Sequence, residues 1–121
     1  MIIELSEQAA NTMLDMLGVM MDDGTIEMLS GDGKILAVLK LGNPAAQPAV
    51  GGALDLNPIG EEDAALTRGQ AAMARILTSE GGEVLACDVG DQNSDAVIRL
   101  NTTSIFSGGP VRIRSFTLAM P

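Results

Sequence analysis

The sequence predicts a mainly β fold: a compact antiparallel β-sandwich or barrel of about seven strands, preceded by one amphipathic α-helix. Two observations lead to this prediction. Apolar residues recur with a helical period over residues 5–21, and from residue 25 onward the period falls to two. Glycine, proline and asparagine then interrupt the chain at the intervals expected between short strands. At 121 residues the chain is long enough for one domain, spanning residues 1–121, with the helix at 5–21 and the β-sandwich at 25–121.

The helix is predicted to begin after Ser6, a favourable N-cap, and to stop at Gly24. Its apolar residues form one broad arc, opposite a polar side that carries Gln8, Asn11, Thr12 and Asp15; the arc comprises Ala9, Ala10, Met13, Leu14, Met16, Leu17, Met20 and Met21. We expect this arc to pack on the protein's own sheet. Docking on a neighbouring subunit is the alternative, and it makes Met13, Met16 and Met20 interface candidates, because methionine tolerates exchangeable contacts. The acidic pair Asp22-Asp23 opposes the helix dipole and is expected to cost a few tenths of a kcal/mol unless a partner arginine compensates.

Two hairpins are predicted after the helix. Residues 25–29 and 34–41 alternate around a Gly31-Asp32-Gly33 turn, and the second strand is apolar on both faces, which predicts a central position. Residues 72–78 and 83–89 form the other hairpin around a turn at 79–82.

The segment between the two hairpins has a weaker pattern. Residues 42–48 are expected to break the sheet, and residues 49–56 to form a weak strand. Residues 57–70 are expected to form an exposed loop or short helical turn, with Glu61, Glu62 and Asp63 as its partner-reaching residues.

A strand at 96–100 leads into the closing segment, whose apolar residues change phase. Val111 and Ile113 occupy odd positions, whereas Phe116, Leu118 and Met120 occupy even ones. Because side chains alternate strictly along a strand, this change predicts a β-bulge near Arg114-Ser115. We also expect this strand to pair centrally in the sheet, since a loose terminal strand would fray.

Composition excludes several function classes. The chain contains no histidine, and its one cysteine, Cys87, is expected to be a small buried hydrophobe. We therefore predict no catalytic residues, no cofactor and no metal site. The net charge of −9 disfavours nucleic acid and anionic membranes as partners. We see no signal peptide and no apolar run of membrane-spanning length.

The charges are distributed unevenly along the chain. Every charge in residues 1–33 is acidic, and every charge after Asp95 belongs to an arginine: Arg99, Arg112 or Arg114. Three arrangements stay open: an acidic end folded back on a basic strand, a match between neighbouring copies, or two solvated faces. The three arginines are interface candidates.

One short motif suggests metal binding. Asp91, Asn93 and Asp95 have the spacing with which calcium loops begin, but Ala96 and Thr102 stand where such a loop needs glycine and glutamate. A polar hairpin loop is the expected structure.

Several stretches resemble a family of small virion proteins of tailed bacteriophages and prophages. The similarity is densest in Leu100-Asn-Thr-Thr-Ser-Ile105, Gly108-Gly109 and Ser115-Phe-Thr-Leu-Ala-Met-Pro121, and it extends to Thr25-Ile-Glu-Met28 and Ile35-Leu-Ala-Val-Leu39. It departs at the short turn 31–33 and at residues 71–74. The resemblance implies a structural component of the particle with no catalytic residues.

From these observations we expect a non-enzymatic virion protein, assembled in the bacterial host cytoplasm. A capsid decoration protein that binds the major capsid protein, in a homo-oligomeric form, is the first hypothesis. The alternatives are a tail or baseplate component and a host-receptor or glycan-binding module. The last is disfavoured by the absence of Trp and Tyr.

Overall fold

A computed structural model describes residues 6–58, 67–105 and 113–119 of the chain. One α-helix precedes a β-structure in the order α1 (Glu7–Met21), β1 (Thr25–Ser30), β2 (Ile35–Ala46), β3 (Ala53–Pro58), β4 (Gly69–Leu77), β5 (Glu83–Asp91), β6 (Ile98–Leu100), β7 (Ser104–Ile105) and β8 (Ile113–Ala119). The mainly β prediction with one helix is confirmed.

Seven of the strands form a closed barrel. They are hydrogen-bonded in the order β1-β2-β3-β8-β6-β5-β4, and pairing of β1 with β4 closes the ring. The short strand β7 attaches to the start of β4, where Gly69 pairs with Ile105. Closure leaves no free edge along the β1–β4 seam, so the backbone amides there are paired on both sides.

Both predicted hairpins are confirmed. β1 pairs antiparallel with β2, and β4 pairs antiparallel with β5. In the first turn the Ser30 amide donates to the Lys34 carbonyl at 2.9 Å, and Gly33 has a φ of +88°. In the second turn the Thr78 hydroxyl accepts from the Gly82 amide at 3.0 Å.

The predicted break at residues 42–48 is wrong in part: β2 continues to Ala46, but its regular pairing with β3 is interrupted between Leu41 and Ala46. This stretch pairs with β3 in an irregular register, with Leu41 opposite Pro58 and Ala46 opposite Leu56. Side chains of α1 bind amides that a regular ladder would have used: Asp22 accepts from the Ala45 amide at 2.7 Å. The proline-rich stretch can therefore stay extended, since the helix supplies the missing hydrogen bonds.

The closing strand behaves as predicted. β8 lies between β3 and β6, a central position. Arg99 pairs with Ser115 and the next residue of β6, Leu100, pairs with Ile113, so Arg114 is the extra residue of a bulge. The predicted phase change and its position are both confirmed.

Two pairings differ from expectation. β6 runs parallel to β5, with Val89 opposite Ile98, whereas an antiparallel sheet was predicted throughout. The chain turns back over residues 92–97, where the Asp88 carboxylate accepts from the Val97 amide at 2.9 Å. β7 was not predicted, because a strand of two residues is too short to show an alternation of apolar and polar side chains.

The core fills the barrel and the space under α1. It is built almost entirely from aliphatic side chains and methionine, as the composition requires, and Phe116 is its aromatic member; the largest fully buried side chains are Leu14, Met21, Ile26, Met28, Leu36, Leu39, Leu41, Leu54, Ile76, Ile98 and Leu100. Leu14 and Met21 belong to α1, so the helix is part of the core rather than an appendage.

Candidate interaction surface

The helix α1 packs on the barrel with one face and leaves another uncovered. It contacts β2 and β3 and reaches β5. Ala10, Leu14, Gly18 and Met21 are its buried residues. The expectation that the arc packs on the protein's own sheet is therefore confirmed for one half of the arc only.

The other half of the arc forms an exposed apolar face, which we call the methionine face: Met13, Met16 and Met20. Their side chains are 50%, 62% and 48% exposed, respectively. They stand three and four residues apart, so they line one side of the helix. Val19, beside this face, is 63% exposed. Neighbouring exposed apolar side chains of this size are typical of protein–protein contact sites.

Two side chains of the polar side of α1, Asn11 and Asp15, bind the chain between β2 and β3, which the sequence did not indicate. Asp15 accepts a hydrogen bond from the Ala49 amide at 2.7 Å, and Asn11 accepts one from the Gly52 amide at 2.9 Å. These bonds tie the helix to the β2–β3 connection and rotate the methionine face outward. Pairing these backbone amides with side chains of the helix is therefore more favourable than burying every apolar side chain of the arc.

The acidic pair at the end of the helix has amide partners. Asp22 binds the Ala45 amide, and the Asp23 carboxylate accepts from the Asn43 side chain at 2.9 Å. Within the described residues the one ion pair joins Glu27 to Arg75, so neither Asp22 nor Asp23 has an arginine partner there. Short-range hydrogen bonds to the chain just across from the helix end were available without a distant cation.

The predicted arginine candidates fall partly within the described residues. Arg99 is half-buried on β6, and its Nε donates to the Ala96 carbonyl at 3.4 Å. The backbone of Arg114 forms the bulge opposite it, and the Arg114 side chain lies outside the described part of the chain, as does Arg112. Glu61, Glu62 and Asp63 are also outside the described residues.

The residues with potential chemistry occupy structural positions. Asp91 accepts from the Asn93 amide at 2.9 Å, so its carboxylate organises a turn. Within the described ranges no three acidic or cysteine side chains are grouped as a metal site. Burial, with a smaller contribution from Asp88, raises the pKa of the Cys87 thiol to about 12. Cys87 is half-buried against the core, close to the small hydrophobe expected.

The 15-residue helix α1 is too short to cross a membrane, and no other helix was found among the described residues. Comparison of the chain with protein-family models, with curated proteins and with solved structures gives no match.

Proposed function

We propose that this protein is a non-enzymatic structural component of a tailed-phage virion, a capsid decoration protein that binds the major capsid protein. The observation that carries the proposal is the methionine face of α1, an apolar surface held on a rigid barrel. The resemblance of the strands and closing segment to small virion proteins is the reason for proposing that this protein belongs to a phage particle. The net charge of −9 suits a surface that must not bind packaged DNA.

The methionine face fits a protein partner better than a small molecule. It is convex, because it lies on the outer side of a helix, and ligand pockets for small molecules are concave. Methionine side chains adapt to irregular partner surfaces. Because each is already about half-buried, covering its exposed part contributes about half of the roughly 1.5–3 kcal/mol that full burial of such a side chain provides.

A direct test is titration of the purified protein onto empty heads of the phage or prophage that encodes it. We expect saturating binding at a fixed ratio to the major capsid protein. Binding to purified tails instead of heads would support the second candidate, a tail or baseplate component, which the resemblance accommodates equally well. A neighbouring tape-measure gene would point the same way.

The variant Met16→Glu/Met20→Glu tests whether the methionine face carries the binding. Placing two charges where apolar side chains are buried should lower the affinity for heads at least about a hundredfold while the barrel stays folded. The matched control is Met73→Glu, a methionine 40% exposed on β4, which should bind heads as the unchanged protein does. Equal binding by the double variant would exclude this face as the contact.

The non-enzymatic and oligomeric parts of the proposal have their own tests. Turnover of an ester, glycan or nucleotide substrate that is abolished by changing one carboxylate would contradict the first. A homo-oligomer is proposed on symmetry grounds and on the separation of acidic and basic residues along the chain, and Arg112 and Arg114 remain candidates for contact with a partner's acidic surface. A monomeric mass in solution would contradict it. The virion is the proposed location, after assembly in the host cytoplasm.

A further inference from the structure

A groove of about 300 Å³ runs beside the methionine face, between α1 and the end of β2. Asp15, Gly18 and Asp22 line its helix side, on successive turns. Its other side and floor are mostly apolar and comprise Pro44, Ala46, Pro48 and Leu54, with Gln47 as a polar member. Gly18 gives the groove its depth, because a Cβ there would lie 3.4 Å from the Ala46 Cβ and 3.7 Å from a methyl of Leu54.

The groove contains carboxylate oxygens available to a ligand. Asp15 and Asp22 each use Oδ1 to accept one backbone amide, at 2.7 Å in both cases. Among the described residues, no lysine or arginine forms an ion pair with either carboxylate. Each therefore presents negative charge to the groove with its position already fixed by the backbone, so ordering it for a partner costs little.

The negative charge around the groove indicates which kind of partner can bind there. Residues 6–33 contain acidic side chains and no lysine or arginine, and the whole chain carries a net charge of −9. Two copies meeting through this surface about a two-fold axis would place acidic helices against each other, which is unfavourable. A basic partner is attracted to the same surface.

We propose that this groove, together with the adjoining methionine face, is the docking site for a basic and apolar segment of the protein partner. One apolar side chain of that segment lies on the floor over Ala46 and Leu54, and two cationic side chains reach Asp15 and Asp22. These aspartates are seven residues apart on the helix, or about 10 Å at 1.5 Å per residue, which sets the spacing of the two cations. Val19 lines the groove and is 63% exposed, and thereby joins it to the methionine face. The inference rests on the proposed function for the identity of the partner.

The variant Asp15→Asn/Asp22→Asn separates charge from structure. Asparagine keeps an Oδ1 that can accept the hydrogen bonds from the Ala49 and Ala45 amides. The substitutions therefore remove both charges while the contacts of the helix persist. The control, Glu80→Gln/Glu83→Gln, removes the same charge from the exposed β4–β5 turn. Thermal unfolding of both variants verifies that they fold.

The first probe is a helical peptide of Ala, Leu and Lys that carries two lysines seven residues apart with leucines between them. A second peptide has glutamate in place of lysine. We expect calorimetry to show binding of the lysine peptide only, weakened about tenfold in the Asp15→Asn/Asp22→Asn variant and unchanged in the control. Binding by the unchanged protein should also weaken as salt is raised, since the contacts are partly exposed. Equal affinity of the variant and the unchanged protein, or absence of salt dependence, would overturn the proposal.

Empty heads, the second probe, distinguish failure of this inference from failure of the proposed function. If the unchanged protein and the Asp15→Asn/Asp22→Asn variant bind heads equally well, the decoration function stands and the groove is not the site. If neither binds heads while the lysine peptide still binds through the aspartates, the decoration function fails and the groove remains a basic-segment site. If the substitutions instead abolish a self-associated form of the protein, the occupant is a second copy and the proposal is wrong.

Discussion

Individual polar side chains position this protein's helix by binding backbone amides. Asn11 and Asp15 on α1 and its C-cap residue Asp22 accept from Gly52, Ala49 and Ala45, respectively. These amides belong to the irregular end of β2 and the turn after it, where no strand partner takes them. A buried amide without a partner costs about 1–3 kcal/mol, so three such bonds are enough to fix which helix face turns outward. The exposure of Met16 is therefore a consequence of aspartates and an asparagine elsewhere on the helix.

Cys87 gives a prediction at the scale of a residue. Burial and the neighbouring Asp88 raise the pKa of its thiol from 9.0 to about 12, so the reactive thiolate is scarce at pH 8. We expect alkylation of the folded protein by iodoacetamide at pH 8 to be on the order of a thousandfold slower than that of a free thiol. In guanidinium chloride the ordinary rate should return. Labelling of the folded protein at the denatured rate would show that the thiol is ionised and open to solvent.

At the scale of an element, α1 has a favourable N-cap and one residue, Gly18, that is unfavourable in a helix. Ser6 caps the helix by accepting from the Ala9 amide at 3.1 Å, as the sequence predicts. Gly18 lies in the interior of the helix, where glycine is less favourable than alanine, and its place opposite Ala46 and Leu54 opens the groove. Gly18 therefore lowers the intrinsic stability of the helix and at the same time leaves the space that forms the groove.

Gly18→Ala tests this view of the helix. Because the added Cβ makes ordinary van der Waals contacts, we expect the free energy of unfolding to rise by about 0.5–1 kcal/mol, measured by urea denaturation. The same change at Gly81, where φ is +89°, should lower it by about 1 kcal/mol. A loss of stability from Gly18→Ala would mean that the helix cannot accept a methyl group facing β2 and β3.

For the whole molecule, an important junction is the start of β1, which lies between β2 and β4 just after α1. The Gly24 carbonyl accepts from the Leu41 amide at 2.9 Å, and its Cα lies against the Leu77 carbonyl. Along the seam that follows, Glu27 faces Arg75 across β1 and β4, with Oε1 accepting from Nε at 2.9 Å and from Nη2 at 2.5 Å. The hydrogen bond and charge of Glu27 raise the pKa of Arg75. The short stretch from Gly24 to Glu27 therefore contacts both neighbouring strands, β2 and β4, where the barrel closes.

Gly24→Ala should disturb this junction. A Cβ at this position would overlap the Leu77 carbonyl oxygen, so the backbone must shift, and we expect a loss of about 1–3 kcal/mol in the free energy of unfolding. Gly31→Ala is the matched control, because nothing lies within 4 Å of the added Cβ, and it should change stability by less than about 0.5 kcal/mol. Equal effects of the two substitutions, measured by denaturation, would contradict the close approach at Gly24.

Elements whose signals are local could be predicted from the sequence. The Ser6 cap, the two hairpins with their glycine turns and the bulge at Arg114 all follow from neighbouring residues, because period and turn chemistry act over a few positions. The central position of β8 was predicted as well, because a loose strand would fray. Within the candidate site, Met13, Met16 and Met20 were found as apolar residues on one helix.

Which half of the helical arc is buried could not be predicted from the sequence, because it depends on contacts that form in the folded chain. That choice depends on amides at residues 45, 49 and 52, more than twenty positions from the side chains that bind them. The same contacts extend β2 through the proline-rich stretch and form the groove around Gly18, and a separate turn after β5 makes β6 run parallel to it. No periodicity encodes these features, since they arise from which unpaired backbone donors come within reach of which side chains once the barrel has closed.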